Sequence, residues 1–389
     1  MPIGSDDSNG RLEQKMGNGA VFHDLMKRRV SEILLVSSLY DSFVLDEGGQ
    51  LGDHLLTNYM DLNLRHTPRL TRASTPSEAL SMMRYRRFDL VLTMMRSPDK
   101  DSLAFCQTVK HRFPQKPLVA LVHDSIGLNE VVNSVVHSVV DHVLVWSGDS
   151  RLLLAIIKLI EDRWNVDHDT KKCGVRTFLV VEDSVRQISS FLPMLYAELM
   201  TQTHKVMVEG HNYMDKLLRI KARPKLLLAH DFEEAKVLFR RHESTMMAVI
   251  SDVEFPRDGL MDQKAGFTLL KWIRGRETKV PAMIHSGQAT NRAGAESMGC
   301  FFLDKNSRTW LEDLREFFVK YLGFGDFVFR LPSGKKVGRA ANIREMERML
   351  LTIPDESLTY HLQSSHFSSW LMARAEYSLA AKIRTTATS

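Results

Sequence analysis

The sequence is poor in cysteine and has no long apolar run. Its 389 residues contain three cysteines, Cys106, Cys173 and Cys300, an odd number spaced too widely for a CxxC pair. A disulfide framework and a zinc module are therefore not supported, and a reducing cytoplasm is the expected location. No segment reaches about 18 consecutive apolar residues, and the polar, acidic N-terminus differs from a signal peptide, so no membrane association is expected.

The sequence also has no strong excess of one charge. Lys and Arg number 52 against 47 Asp and Glu, a formal net charge of +5, and the basic residues are spread along the chain. The basic stretch at 330–344 has no helix-turn-helix spacing, and GFGDF at 323–327 lacks the third glycine of a dinucleotide loop. Nucleic-acid binding is therefore not expected.

The length and the apolar content indicate more than one globular domain. A chain of 389 residues with 44% hydrophobic residues can bury a core in each of two or three domains. Residues 1–30 are rich in Gly, Asp, Ser and Asn. Because such a segment cannot offset the entropy of ordering its backbone, it is expected to be a flexible tail.

From Ser31 onward, short aliphatic runs alternate with amphipathic stretches, and the pattern restarts after the polar link NVDHDTKKC. Buried strands that alternate with helices are typical of a parallel sheet covered on both faces. We therefore predict an α/β fold with two tandem doubly wound, five-stranded sheets, at 31–168 and 174–323. The predicted strands are EILLV, PRLTRA, FDLVLTMM, PLVALV and HVLVW, then RTFLVV, PKLLLA, MMAVIS, VPAMI and CFFLD.

The pattern changes again past Tyr321, where residues 324–389 predict a mainly helical extension. A short hairpin is expected first, then a helix at IREMERMLLTI and a longer one from about Glu356 to Arg384. Phe367, Trp370 and Leu371 form an apolar stripe on the longer helix. We expect this stripe to pack against the second domain or a second copy of the chain, so a homodimer is a predicted partner; closing the second domain's own core is the alternative.

Five polar residues follow the strands of the second domain: Glu182 and Asp183 after the first, Asp252 after the third, Ser286 after the fourth and Lys305 after the fifth. In an open parallel sheet, ligands bind beyond the carboxyl ends of the strands. Three carboxylates at one edge repel one another unless a cation joins them, and hard oxygen ligands suit Mg²⁺. A metal site is the direct inference.

The same residues suit phosphoryl transfer. A hydroxyl at Ser286 and an ammonium at Lys305 supply the hydrogen-bond donor and the positive charge that a transferred phosphoryl group needs, and Asp252 is the natural nucleophile. Two other interpretations stay open. These can be ordinary residues of strand-end loops, or the pocket can exist and never be phosphorylated.

The set resembles the receiver domain of bacterial response regulators, which are CheY-like, over about Gly174 to Leu322. The resemblance implies that Asp252 accepts a phosphoryl group from a histidine kinase or a phosphotransfer protein, that Lys305 pairs with the phosphoryl oxygens, and that Phe302 is the aromatic switch residue. It implies a Mg²⁺ site formed by Glu182, Asp183, Asp252 and the backbone carbonyl of Glu254. The sequence departs from the family in Asn306, where many receivers have proline, and in the long stretch 255–266.

The first domain lacks this chemistry. Ser37 and Ser38 stand where the acidic pair belongs, Met94 at the nucleophile position and Trp146 where the lysine belongs. Without carboxylates no Mg²⁺ is held, so residues 31–168 are interpreted as a degenerate receiver, a packing and interaction module. Histidines five positions apart, such as His361 and His366, miss the spacing of a helical metal pair.

The C-terminal motifs GFGDFVFRLPSG and SLTYHLQSSHFSSWLMARAEYSLAAKIR resemble the receiver-containing regulatory region that precedes phosphoenolpyruvate synthase-like enzymes in some bacteria. In that family the catalytic domains follow this region, so the chain itself is not expected to be an enzyme. The predicted function is a two-component response regulator or regulatory fragment. The alternative is a phosphorylation-silent scaffold that docks or dimerises a phosphoenolpyruvate-utilising enzyme.

Overall fold

The computed structural model describes residues 24–38, 50–62, 64, 66–95, 100–123, 136–207, 223–276 and 280–386. The chain divides into two compact units. The first holds Arg28–Trp164, with which Glu182–Ala197 is grouped, and the second holds Met1–Lys27, Asn165–Val181 and Glu198–Ser389. No helix in the described part of the chain is long and apolar enough to cross a membrane.

The first sheet has five parallel strands in the order β2-β1-β3-β4-β5. Every residue of β3 and β4 is buried, which explains why these strands are continuous apolar runs. The strands are β1 (Glu32–Val36), β2 (Arg69–Ala73), β3 (Leu90–Met95), β4 (Leu118–Val122) and β5 (His142–Val145). The helices are α1 (Leu51–Asp61), α2 (Pro76–Tyr85), α3 (Lys100–Arg112), α4 (Val136–Val139) and α5 (Arg151–Cys173).

The second sheet repeats this order as β7-β6-β8-β11-β12, again with parallel neighbours. An antiparallel ribbon, β9-β10, is inserted after β8. The strands are β6 (Thr177–Val181), β7 (Lys225–Ala229), β8 (Met246–Ser251), β9 (Phe255–Arg257), β10 (Leu260–Asp262), β11 (Ala282–Ser286) and β12 (Phe301–Asp304). The helices are α6 (Val185–Met207), α7 (Phe232–His242), α8 (Ala265–Arg274), α9 (Asn291–Ser297) and α10 (Trp310–Tyr321).

These two sheets confirm the predicted fold class, and each of the ten predicted runs contains a strand. Helix starts follow local signals: the Thr75 side chain accepts from Glu78 N before α2, and the Asp231 side chain accepts from Glu234 N before α7. Helix α6 ends at Met207, and residues 208–222 lie outside the described residues.

The polar link NVDHDTKKC is not a linker, because α5 continues through it to Cys173. Its polarity is explained by partners rather than by solvent: Asn165 and Asp169 are buried. Both oxygens of the Asp169 carboxylate accept from Met26 N at 3.3 Å, and one lies 3.1 Å from Lys225 Nζ. A helix with polar residues facing a polar partner has no amphipathic signature, so its sequence pattern is typical of a loop.

The last residues of the predicted tail are also packed. Leu25 and Val30 are buried, and Val30 N donates to Glu161 Oε1 at 3.2 Å. The segment is held by acids from α5, which accept hydrogen bonds from its backbone amides. Residues 1–23 lie outside the described part of the chain.

The extension starts with the predicted hairpin, β13 (Phe327–Arg330) and β14 (Lys336–Ala340), and continues with four helices instead of two. The predicted long helix is interrupted at Ser365 and Ala375, which adopt left-handed φ angles of 56° and 57°. Leu362 and Leu379 of this segment are exposed. The helices are α11 (Ile343–Leu350), α12 (Asp355–Gln363), α13 (His366–Ala373) and α14 (Tyr377–Thr386).

The apolar stripe of α13 is buried within this extension. Phe367 stacks on Phe327 of the hairpin at 4.6 Å between ring centroids, and Trp370 Nε1 donates to Gly325 O at 2.9 Å. Trp370 and Leu371 belong to one apolar cluster with the hairpin. The hairpin therefore supplies a face for the stripe within the extension, and the predicted homodimer stays a prediction.

Candidate functional site

Three carboxylates converge at the carboxyl edge of the second sheet. Val181, the last residue of β6, pairs with Ser251, the last residue of β8. The chain after each strand therefore leaves the sheet at the same level, and Asp252 N donates to Val181 O at 2.9 Å. One carboxylate oxygen from each of Glu182, Asp183 and Asp252 lies within 4.8 Å of the others.

Lys305 completes the cluster from the other side. Its Nζ donates to Asp252 Oδ2 at 2.7 Å, with 9% of the lysine and 13% of the aspartate side chain exposed. Lys305 N donates to Ser286 O at 3.0 Å, which fixes the base of the side chain to the end of β11. Because Asp252 Oδ1 accepts from Val253 N at 2.6 Å, both carboxylate oxygens are held.

Ser286 is 3% exposed at the end of β11. Its Oγ accepts from Gln288 N at 3.2 Å and from Asn291 Nδ2 at 3.0 Å. A hydroxyl oxygen has two acceptor positions and one hydrogen. With both acceptor positions used, donation by the O–H is what Ser286 has left to offer.

Residues after the strands shape the rim of the site. The stretch 255–266, noted as a departure from the receiver pattern, forms the ribbon β9-β10, whose turn has φ angles of 52° at Asp258 and 78° at Gly259. Asn306 Nδ2 donates to Gly287 O at 3.1 Å, a bond that proline at this position could not make. For Glu254 the structure gives a side-chain contact, from Gln288 Nε2 to Oε1 at 2.7 Å. The role of its backbone carbonyl stays a prediction.

Phe302 lies in β12, opposite Ile284 of β11. Its ring is buried, with 6% exposed, and the Arg292 guanidinium lies over it at 4.6 Å from the centroid. Its role as a switch stays a prediction. Arg292 is a contact that the sequence pattern did not indicate.

Sequence reasoning also missed His285, the residue before Ser286. Its Nε2 accepts from Trp310 Nε1 at 3.1 Å, so the proton of the neutral ring is assigned to Nδ1. Burial, together with the charge of Lys305, lowers the pKa of His285 to about 3. A polar residue inside an apolar strand is the only sequence signal for it.

We expect His285 to make the protein less stable in acid. The unfolded chain binds a proton near the ordinary pKa of 6.5, whereas the folded chain binds it only near 3. The stabilisation from the neutral His285 ring is therefore fully present above pH 6.5 and is lost as the pH falls toward 3. Over this range the free energy of unfolding changes by at most about 1.4 kcal/mol per pH unit. His285→Gln should reduce the slope of unfolding free energy against pH in urea titrations. An unchanged slope would contradict a buried neutral imidazole.

The first sheet has the same register as the second, with different residues at its strand ends. Val36 pairs with Thr93 as Val181 pairs with Ser251, which places Met94 at the level of Asp252. Val122 pairs with Val145 as Ser286 pairs with Asp304, so Trp146 stands at the level of Lys305. The backbone bond from Trp146 N to Val122 O, at 2.7 Å, repeats that from Lys305 N to Ser286 O. The strand ends of the first domain are therefore where the sequence predicted them.

The donor set at the second sheet fits Mg²⁺. The three side chains offer hard carboxylate oxygens, and Asp183 and Asp252 are half-buried, which leaves access from solvent. The Lys305 ammonium adds one positive charge beside these three carboxylates. The histidine pair at 361 and 366 is different: the helix break brings the two Nδ1 atoms to 2.9 Å, a hydrogen bond between rings rather than a group of three metal ligands.

A search of solved structures finds matches that include receiver domains. The signal receiver domain of an HD domain-containing protein from Pseudomonas fluorescens Pf-5 is 20% identical; the match covers 36% of this chain and 94% of that chain, with a TM-score of 0.28. The chemotaxis response regulator CheY4 of Vibrio cholerae is 18% identical over 34% of this chain and 98% of that chain, with a TM-score of 0.26. A probable two-component system response regulator/GGDEF domain protein is 17% identical over 73% of this chain and 95% of that chain, with a TM-score of 0.30.

No family model matches the chain, and a search of curated proteins finds no match. The fold assignment itself comes from the order and register of the two sheets.

Proposed function

We propose that the second domain is a receiver that accepts a phosphoryl group on Asp252 from a phosphohistidine of a histidine kinase or phosphotransfer protein. The observation that carries this proposal is the convergence of Glu182, Asp183 and Asp252 at one sheet edge, with the Lys305 ammonium on the Asp252 carboxylate. A structural ion pair needs one acid for one base, whereas this site has three acids for one lysine. A phosphoryl-transfer site needs more acids than bases, because a cation must bind there together with the phosphoryl group.

The residues that would hold Mg²⁺ are Glu182, Asp183 and Asp252, and when bound the ion supplies neutralisation of charge on the phosphoryl oxygens. In the transfer, a carboxylate oxygen of Asp252 forms a bond to phosphorus. The bond from phosphorus to the donor's imidazole nitrogen breaks, and that nitrogen keeps the electron pair.

The chain's own contribution is orientation. Bonds from Val253 N and Lys305 Nζ fix the plane of the Asp252 carboxylate, so little reorganisation is needed before attack. After transfer, the ammonium lies beside the new phosphoryl oxygens, and the Ser286 O–H is oriented to donate by its contacts with Gln288 and Asn291. The effect of phosphorylation then reaches the protein surface through Phe302, which pairs with Ile284 of β11 and is covered by Arg292.

Exposure of the full chain to a small phosphodonor with Mg²⁺, followed by intact-mass measurement, should show one added phosphoryl group. Asp252→Asn should abolish this adduct because an amide is not a nucleophile at neutral pH, and omission of Mg²⁺ should slow its formation. Asp258→Asn is the matched control. It makes the same change at an exposed ribbon position whose positive φ asparagine tolerates, and it should keep the adduct.

An adduct that persists in Asp252→Asn, or that maps to the first domain, would contradict this assignment. Failure of the wild-type chain to form any adduct while it folds normally would favour the phosphorylation-silent scaffold. Docking of a phosphoenolpyruvate-utilising enzyme, homodimer formation and a cytoplasmic location rest on the sequence alone. In this proposal the chain is a phosphoryl acceptor and not an enzyme.

A further inference from the structure

Three cationic side chains of the second unit lie over the indole ring of Trp272. Lys236 Nζ, Arg240 Cζ and Arg276 Cζ lie 5.5, 5.2 and 5.3 Å from the ring centroid of Trp272. Lys236 and Arg240 are four positions apart on α7, so they lie on the same face of that helix. We call this group, with Arg257 and Phe232 beside it, the Trp272 surface.

A second aromatic ring extends the surface toward the ribbon. Lys236 Nζ lies 5.2 Å and Arg257 Cζ 4.9 Å from the centroid of Phe232. Four cations are therefore held over two neighbouring rings. Cation–π contact stabilises each one by about 0.5–1 kcal/mol at an exposed site, and it leaves the charge itself in place.

The cations are only partly balanced by acids. Arg276 is paired with Glu243 through bonds of 2.9 and 2.6 Å, and Arg257 has only distant contacts with Asp258 and Asp262, at 3.8 and 3.6 Å. Among the described residues, Lys236 and Arg240 have no carboxylate partner. An anion at this position would pair with two cations that already lie side by side.

An exposed apolar side chain adjoins the cations. Leu260 is the cross-strand neighbour of Arg257 and is 76% exposed. An exposed leucine beside aromatic rings and arginines is typical of a protein-binding surface.

The chemistry favours a peptide over a nucleic acid. A phosphodiester backbone carries a charge at every unit, and here it would also lie near acids of α7 and of the ribbon turn, Glu233, Glu234 and Asp258. The exposed Leu260 would gain nothing from contact with phosphate. A peptide can place carboxylates at Lys236 and Arg240 and apolar side chains at the ribbon.

We propose that the Trp272 surface binds an acidic peptide segment of a partner protein that carries apolar side chains between its carboxylates. This surface is built from α7, α8 and the ribbon. It does not depend on phosphorylation of Asp252, so either proposal can fail without the other.

The test uses the full chain and a short fluorescein-labelled peptide of glutamate and leucine in equal proportion. Fluorescence anisotropy should show saturable binding that weakens as salt is added. Lys236→Glu with Arg240→Glu should weaken binding by at least about tenfold, because both attractive charges become repulsive. Lys236→Gln with Arg240→Gln is the milder variant should charge reversal impair folding, and it should weaken binding by about threefold or more.

Lys335→Glu with Lys336→Glu is the matched control, since it changes net charge equally at two exposed residues where the turn of the hairpin meets β14. It should keep the affinity within about twofold. Equal losses in both charge-reversal variants, no saturable binding by the wild type, or tighter binding of a thymidine oligonucleotide than of the peptide would each overturn the proposal. The last result would assign the surface to nucleic acid.

Discussion

Replacing Lys225 by methionine should lower the free energy of unfolding by about 3–5 kcal/mol, because it leaves the Asp169 carboxylate buried without its cation. Both side chains of this ion pair are 0% exposed, and the separation from Nζ to Oδ2 is 3.1 Å. Met26 N also donates to Asp169, so the loss should extend to the packing of residues 24–30. Urea denaturation gives the free energy, and amide exchange at Leu25 and Met26 reports on the segment.

Two further variants separate the buried charge from a general effect of losing a lysine. Lys320→Met removes an exposed partner of Glu316 on α10 and should cost no more than about 0.5 kcal/mol. Lys225→Met combined with Asp169→Asn should be more stable than Lys225→Met alone, since no charge is then left buried. If Lys225→Met alone were as stable as the wild type, the buried ion pair would be contradicted.

Replacing Gly266 by alanine should destabilise the second domain by about 3 kcal/mol, at the upper end of what overpacking costs. A Cβ at this position would lie 2.0 Å from Asp252 O and 3.0 Å from Val253 Cα. Both are backbone atoms, which cannot rotate away as a side chain can. Because the backbone that must move carries Asp252, we also expect weaker Mg²⁺ binding and slower phosphoryl acceptance.

Gly52→Ala is the matched control for this substitution. Gly52 lies in α1, and a Cβ there would meet nothing within 4 Å. This change should stabilise the protein by about 0.4–1 kcal/mol, since alanine loses less backbone entropy in a helix. Thermal melts of Gly266→Ala and Gly52→Ala, compared with the wild type, measure the two changes in stability. Equal small effects at the two positions would mean that α8 does not approach the Asp252 backbone so closely.

The candidate site was accessible to sequence reasoning because of how parallel sheets are built. Each strand is a local apolar run, and the carboxyl ends of parallel strands meet at one edge. Asp252 and Lys305 are 53 positions apart, yet both follow a recognisable strand directly. The neighbours of the site were not accessible in this way. Arg292, His285 and Trp310 act through contacts that no strand-end rule identifies.

The sequence by itself determined the two α/β sheets and the residues at their strand ends, because apolar periodicity is a local property of the chain. Only the tertiary structure decided which polar residues are buried. Asp169 is part of a segment that resembles a linker, and it is buried because Lys225 and a backbone amide 143 positions away supply its partners. Likewise, the hairpin β13-β14 covers the apolar stripe of α13. A buried charge or an apolar stripe is stable only when its partner is present, and a partner distant in sequence leaves no local pattern.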